Sequence, residues 1–284
     1  MAASVKTLAS GEDEARLESL SGRRDSIIVQ PVSFTWTPLA DAHKEIRVCT
    51  IEPGPEGSLI RVGLRTVRLE ESADEYTCLS YAWVTQHTTH SILLNNLYCP
   101  VTQNLHLQLS RLRALGHVQD LWCDSLCIAQ GNGTTTERSI QVSLMGVIFS
   151  TARQVFLAVD EGGLLLKPSS LEKALRKLSD GSHLDTFECL SVRDPAASNV
   201  PAEQMLRLLD ASFWTRCFTV QETVLAKKAI IVGEWGMVPF SSLAKALLAY
   251  DKHRQGTCCD WFVNTLPNDT QAKYYQVGNE RVPC

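Results

Sequence analysis

Hydrophobic and polar positions divide the chain into two rhythms. Through the first hundred residues, short runs rich in Val, Ile and Thr alternate with turn-forming residues. Residues 45–51 and 59–69 read as strands, and the Pro-Gly-Pro-Glu-Gly stretch between them turns them into a hairpin. Residues 76–83 (YTCLSYAW) form a third, more apolar strand, and 92–95 pairs with 97–101 across a tight Asn95-Asn96 turn. Beyond residue 101 helical and extended periods alternate. Residues 102–115 set Leu105, Leu109 and Leu112 on one helical face, with Gly116 ending the helix. A short buried strand over 121–123 precedes a helix over 136–150 that turns Ile140, Leu144, Val147 and Ile148 inward, and VFLAV at 155–159 is another buried strand. This succession predicts an α/β fold with a parallel sheet flanked by helices.

Residues 161–200 interrupt the alternation. Gly162-Gly163 opens a loop, Ser169 with Glu172 makes a capping box for a helix reaching residue 178, and 180–200 has no period, so the segment reads as an insertion. Helices over 202–210 and 216–226, a strand over 229–232 and a helix over 241–250 follow. Residues 1–28 are polar and read as a flexible N-terminal arm. Residues 251–284 read as a C-terminal extension, packed or leading into a further region, which leaves 29–250 as one domain.

Composition narrows the function classes. With 284 residues, 44% of them hydrophobic and 20% charged, the chain has ample means to build a core. Its 27 basic and 31 acidic residues lack the positive footprint of a nucleic-acid binder. No apolar run reaches the roughly 18–20 residues of a membrane span. Ten cysteines would suit a secreted disulfide framework, yet the N-terminus MAASVKTLASGEDEAR has no apolar signal region. Reduced core thiols in a cytoplasmic protein are the reading preferred. Cys123 and Cys127, the adjacent Cys258-Cys259, and His87 with His90 do not have structural zinc spacing.

In a parallel α/β sheet, ligands gather beyond the carboxyl ends of the strands. Three groups fall there: Ser80, Tyr81 and Trp83; Asp124 with Cys127, Gln130 and the Gly131-Asn132-Gly133 loop; and Trp214-Thr215-Arg216 with Gln221-Glu222. Each has a structural alternative. The aromatics can be core residues with polar tips, and Asp124 can cap a turn. The glycine loop lacks the third glycine of a dinucleotide fingerprint, with Thr136 in its place. Glu222 can lie on the surface or pair with Arg216 or Lys227. Within an apolar stretch it must be paired, neutral or functional, because an unpaired buried charge costs several kcal/mol. Nucleophile-elbow, phosphate-loop and zinc-protease motifs are missing. A Cys123, His117 and Asp124 triad is crowded onto one strand and its approach, where side chains diverge.

YTCLSYAWV, PVTQNLHLQLSRLR, LWCDSLCIAQ, then Glu137, Gln141, Met145 and FSTA, then FWTRCFTVQETVLA occur in the order and spacing of the fungal heterokaryon incompatibility (HET) domain, which the chain resembles over about residues 45–235. Val84, Ala129, Phe149 and Phe218 stand where that family usually has Gly, Asn, Tyr and Trp. The first two bear on a site, since Gly permits close backbone approach and Asn offers an amide. The resemblance implies a role in nonself recognition that triggers regulated cell death. It is similar, more distantly, to the Toll/interleukin-receptor (TIR) fold. That likeness implies a flavodoxin-like, mainly parallel sheet with an added N-terminal β-hairpin region and a helical insertion. By analogy with NAD-cleaving TIR domains, the glutamate of Phe218-x-x-x-Glu222 is the catalytic carboxylate and NAD+ a substrate rather than a resident cofactor. Tyr81, Trp83, Asp124, Gln130 and Arg216 are then the substrate-binding residues. The non-enzymatic alternative is a signalling scaffold that forms a homo-oligomer or binds an incompatibility partner protein, with the same residues as a buried network.

Overall fold

The structure, a computed structural model, describes residues 33–83, 88–116, 120–131, 133–159, 175–177, 179–180, 208, 211–233 and 236–255. The expected arm, most of the insertion, nearly all of the 202–210 helix and the extension beyond 255 lie outside the described residues.

Nine strands form one sheet. In chain order they are β1 (Glu45–Ile51), β2 (Arg61–Arg68), β3 (Thr77–Tyr81), β4 (Thr88–Leu94), β5 (Leu97–Thr102), β6 (Leu121–Trp122), β7 (Gln154–Ala158), β8 (Ala229–Gly233) and β9 (Gly236–Pro239). Across the sheet the order is β5-β4-β2-β1-β6-β3-β7-β8-β9. The helices are α1 (Gln103–Ala114), α2 (Asp124–Cys127), α3 (Thr135–Ser143), α4 (Met145–Thr151), α5 (Cys217–Val224) and α6 (Phe240–Gln255).

Local chemistry explains most boundaries. The β1–β2 hairpin runs antiparallel from Glu45 opposite Arg68 to Ile51 opposite Val62. The β4–β5 turn carries Asn95 at φ 50° and Asn96 at φ 64°, the left-handed pair that a two-residue hairpin loop demands and asparagine tolerates. Thr102 caps α1 by accepting from the Leu105 amide, and Gly116 closes it at φ 73°.

Two expectations need correction, and one strand had no counterpart among them. The sheet is mixed rather than mainly parallel: β3–β6, β3–β7, β7–β8 and β2–β4 are parallel, whereas β1–β2, β1–β6, β4–β5 and β8–β9 are antiparallel. The reason is that Cys49 of β1 pairs with Leu121 of β6, so both N-terminal hairpins extend the same sheet. The helix expected over 136–150 breaks at Leu144, whose amide is shared between the carbonyls of Ile140 and Gln141. Its two halves are anchored differently: Gln141 of α3 donates to the carbonyls of Ala42 and Glu45, while α4 accepts the Tyr76 hydroxyl at the Ile148 carbonyl. Finally β9 was not foreseen. Its four residues are too few for a periodic signal, and Pro239 is tolerated at the sheet edge where no further strand needs its amide.

The parallel quartet β6-β3-β7-β8 positions the site. Of this quartet, β6 is reached from β3 by way of β4, β5 and α1 and lies on one side of it, and the chain then crosses to β7 on the other, so the quartet's order reverses at β3. All of β3 is buried, and α5 lies against β3, β7 and α4. Cys49, Cys78, Cys99, Cys123 and Cys127 are free and buried in the core. No helix among the described residues is long and apolar enough to cross a membrane.

Candidate functional site

Alternation along β3 sends neighbouring side chains to opposite faces. Tyr76, Cys78 and Ser80 face α4 and α5: the Tyr76 hydroxyl donates to the Ile148 carbonyl at 2.6 Å, and the Ser80 hydroxyl donates to Oε2 of Glu222. Tyr81 turns the other way and donates to the Ser125 hydroxyl at 2.9 Å. Beyond the strand, Trp83 stacks on Tyr81 with ring centroids 6.5 Å apart and is 39% exposed.

The segment before α5 is pinned at several points. Phe213 is buried, the Trp214 indole donates to the Leu208 carbonyl at 2.6 Å, and the Thr219 hydroxyl bonds the carbonyls of Phe213 and Arg216 at 2.7 Å each. Arg216 is thereby held at the start of α5, with its guanidinium donating to the Tyr81 carbonyl at 3.2 Å. Two helical turns suffice to carry Glu222 inward, to 9% exposure, while Phe218 stays 55% exposed. Glu222 is therefore neither a surface carboxylate nor the partner of Lys227, which is bound to Asp74.

Asp124 opens α2 directly after β6, and Gln130 holds that turn by donating to the carbonyls of Asp124 and Ile128 at 3.4 and 3.0 Å. Protein surrounds Asp124, yet it keeps partial solvent contact, as a side chain in a concave cleft does. Burial pushes its pKa up to about 6, against the pull of the Ser125 amide, the Trp83 indole N–H and Arg216. Burial likewise pushes Glu222 up to about 7; Ser80 and Arg216 favour its charge, and Asp124 opposes it. Arg216 favours the charged form of both carboxylates. Such a site can place concentrated negative charge opposite a developing cation, with an indole face at its rim. Cys123 is wholly buried and its thiol is pushed well up by burial and by Asp124, which removes the thiolate that nucleophilic catalysis requires.

The structure thus brings Tyr81, Trp83, Asp124, Arg216 and Glu222 together, and places the Gln130 amide beneath Asp124. Ala129 is buried, and Val84 lies outside the described residues. Two contributors escaped the sequence reading. Ser125 supports Tyr81, and Asn104 donates to the Ala82 carbonyl at 2.6 Å while accepting from Gln108 at 2.9 Å. Asn104 and Gln108 are buried. The signal for them was a polar stripe at helical spacing, Asn104, Gln108 and Arg111, running beside the leucine stripe of α1.

No curated protein and no solved structure matches the chain. The family model described as heterokaryon incompatibility protein (HET) matches residues 76–222, just over half of the sequence. The match starts at the residue before β3 and ends at Glu222, so it encloses every candidate residue of the cleft. The chain belongs to the heterokaryon incompatibility (HET) family.

Proposed function

We propose that this HET protein acts in fungal nonself recognition and triggers regulated cell death by hydrolysing the glycosidic bond between nicotinamide and ribose in NAD+. The observation that carries the reading is a buried glutamate, gripped by Ser80, that shares a cleft with Asp124 and Arg216 at the carboxyl edge of β3. Taken in chain order, the parallel strands β3, β6, β7 and β8 lie as 2-1-3-4, the order of a flavodoxin-like doubly wound sheet, which supports a TIR-like core and a ligand at this edge. In the step proposed, the ribose C1′–N bond breaks with its electron pair leaving on nicotinamide. Ionised Glu222 faces the oxocarbenium-like ribose, water adds to C1′, and its proton passes to solvent or to the carboxylate pair. Trp83 and Tyr81 provide the aromatic face, Asp124 accepts a sugar hydroxyl, Arg216 balances the carboxylates, and Gln130 acts through Asp124.

Purified protein incubated with NAD+ at high protein concentration should release nicotinamide, measured chromatographically. The rate should rise with pH through about 7, because Glu222 must lose its proton to stabilise a cation and burial raises its pKa to about that value. No release from dilute or assembled protein would sink the catalytic reading. The second reading, a scaffold acting by self-assembly or partner binding, draws on α4 and α5: these packed helices expose Val147 (47%), Phe218 (55%) and Val224 (76%). Its signature is concentration-dependent assembly, with cell killing lost on polar substitution of those residues while Glu222 is intact.

A further inference from the structure

We propose that Ser80 is the positioning residue of the Glu222 carboxylate, its hydroxyl holding Oε2 so that Oε1 is the oxygen offered to a ligand. The inference rests on the reading of Glu222 as the working carboxylate and assigns the side chain that aims it.

A glutamate has three rotatable side-chain bonds, and α5 alone leaves its head free to sweep. What limits it is a hydroxyl rooted in a wholly buried strand of the sheet. Ser80 lies opposite Leu157 in the parallel pairing of β3 with β7 and is 2% exposed. A hydroxyl has one proton to donate, and here it is spent on Oε2. Among the described residues no donor reaches Oε1. The next residue of β3 supplies a second tie, since the Tyr81 carbonyl accepts from Arg216 at the start of the same helix. Strand and helix are thus joined at consecutive strand residues, one bond fixing the helix start and the other fixing the carboxylate. The other charged groups acting on Glu222 are Asp124 from α2 and Arg216 from the start of α5, and the buried Cys78 thiol of β3, whose own pKa burial and Glu222 push up, stays neutral beside it. Ser80 is too deeply buried to attack a substrate and cannot leave Glu222 without stranding a carboxylate oxygen.

The test compares Ser80→Thr, which keeps a hydroxyl on a β-compatible side chain, with Ser80→Val, its isostere without one, and Ser80→Ala. The first readout is the carboxyl 13C titration of Glu222 in labelled protein, its resonance assigned from Glu222→Gln. A hydrogen bond to the ionised form holds the midpoint down, so Ala and Val should each raise it by about one pH unit, and Thr should leave it within about 0.3. The second readout is nicotinamide release from NAD+. Ala and Val should lower kcat about tenfold while KM changes less than about twofold, and Thr should restore the rate. Midpoints that stay put in both hydroxyl-free variants would overturn the proposal. Unfolding of both beside a folded Ser80→Thr would do so as well, by making the hydroxyl a requirement of the fold. If the unsubstituted protein releases no nicotinamide, the catalytic reading fails by itself, and the titration still decides the role of Ser80.

Discussion

Glu222→Gln is expected to lower nicotinamide release from NAD+ by at least about 100-fold, roughly 2.7 kcal/mol of barrier. The substitution keeps shape and an acceptor for the Ser80 hydroxyl but removes the charge that, in the step proposed, faces the departing bond. Inside a cleft that charge is poorly screened, so its loss is felt strongly. Stability should respond in the other direction. Burial raises the Glu222 pKa to about 7 from an ordinary 4.5, so the folded state holds this proton more tightly than the unfolded chain does. Its contribution to stability is therefore greatest below about 4.5 and is lost as pH rises through about 7. Glutamine has no such penalty, and at pH 8 the Tm of Glu222→Gln should equal or exceed that of the unsubstituted protein. This pairing separates the two readings. A carboxylate that serves only as structural glue would lower the Tm when removed and leave no catalytic rate to lose.

The largest expected effect on stability lies away from the cleft, in the ion pair of Arg47 and Glu137. Their side chains are 4% and 12% exposed and meet at 2.8 Å. Arg47 also donates to the carbonyls of Cys127 at 3.0 Å and Thr37 at 2.7 Å, while Glu137 accepts the Leu39 amide at 2.8 Å. One network thus joins the segment before β1, β1 itself, the end of α2 and the start of α3. Glu137→Ala strands a buried guanidinium and should cost about 3–5 kcal/mol in urea denaturation. A loss under about 1 kcal/mol would show that water relieves the charge. Replacing both partners, as in Arg47→Met with Glu137→Leu, should recover much of the loss, because the penalty belongs to the unpaired charge. The acid limb has a definite sign. Burial alone would raise the Glu137 pKa, but Arg47 and the Leu39 amide outweigh it and hold the carboxyl below its ordinary 4.5. The stability it confers is present above that ordinary value and is lost as pH falls through the lower folded value. Asp124 opens the single-turn helix that Cys127 ends, so loosening this network should also disturb the cleft.

How much of this was legible depended on the range over which each feature is determined. Strands β1, β2, β4 and β5 declared themselves through β-branched runs and turn residues, and the Asn95-Asn96 hairpin is as local as a feature can be. The leucine stripe of α1 and the run VFLAV of β7 were equally plain. The break at Leu144 was not, because helical periodicity continues across it and only the separate anchoring of Gln141 and of α4 redirects the chain. Both hairpins were legible too, but their joining the parallel strands in one mixed sheet was not, for a related reason. Alternating helix and strand signals speak for parallel pairing between the elements they contain, and they say nothing about hairpins that add to the sheet edge.

For the cleft, position after a predicted strand was enough to nominate Tyr81, Trp83 and Asp124, since polar groups at strand ends are where an α/β sheet keeps its ligands, whereas Glu222 with Arg216 stood out as charge within an apolar helical stretch and drew its expected role from the family likeness. Their relations were beyond any local reading. Ser80 and Glu222 are 142 positions apart, and only the parallel register of β3 with β7 and the docking of α5 bring them into contact. The same packing decides that Lys227 goes to Asp74, that Gln130 turns to backbone carbonyls, and that Arg216, bonded to the Tyr81 carbonyl, lies near enough to favour the charge of both carboxylates. Local propensity acts through neighbours along the chain and can be read there; burial, pairing and raised pKa values depend on what the fold brings close across it.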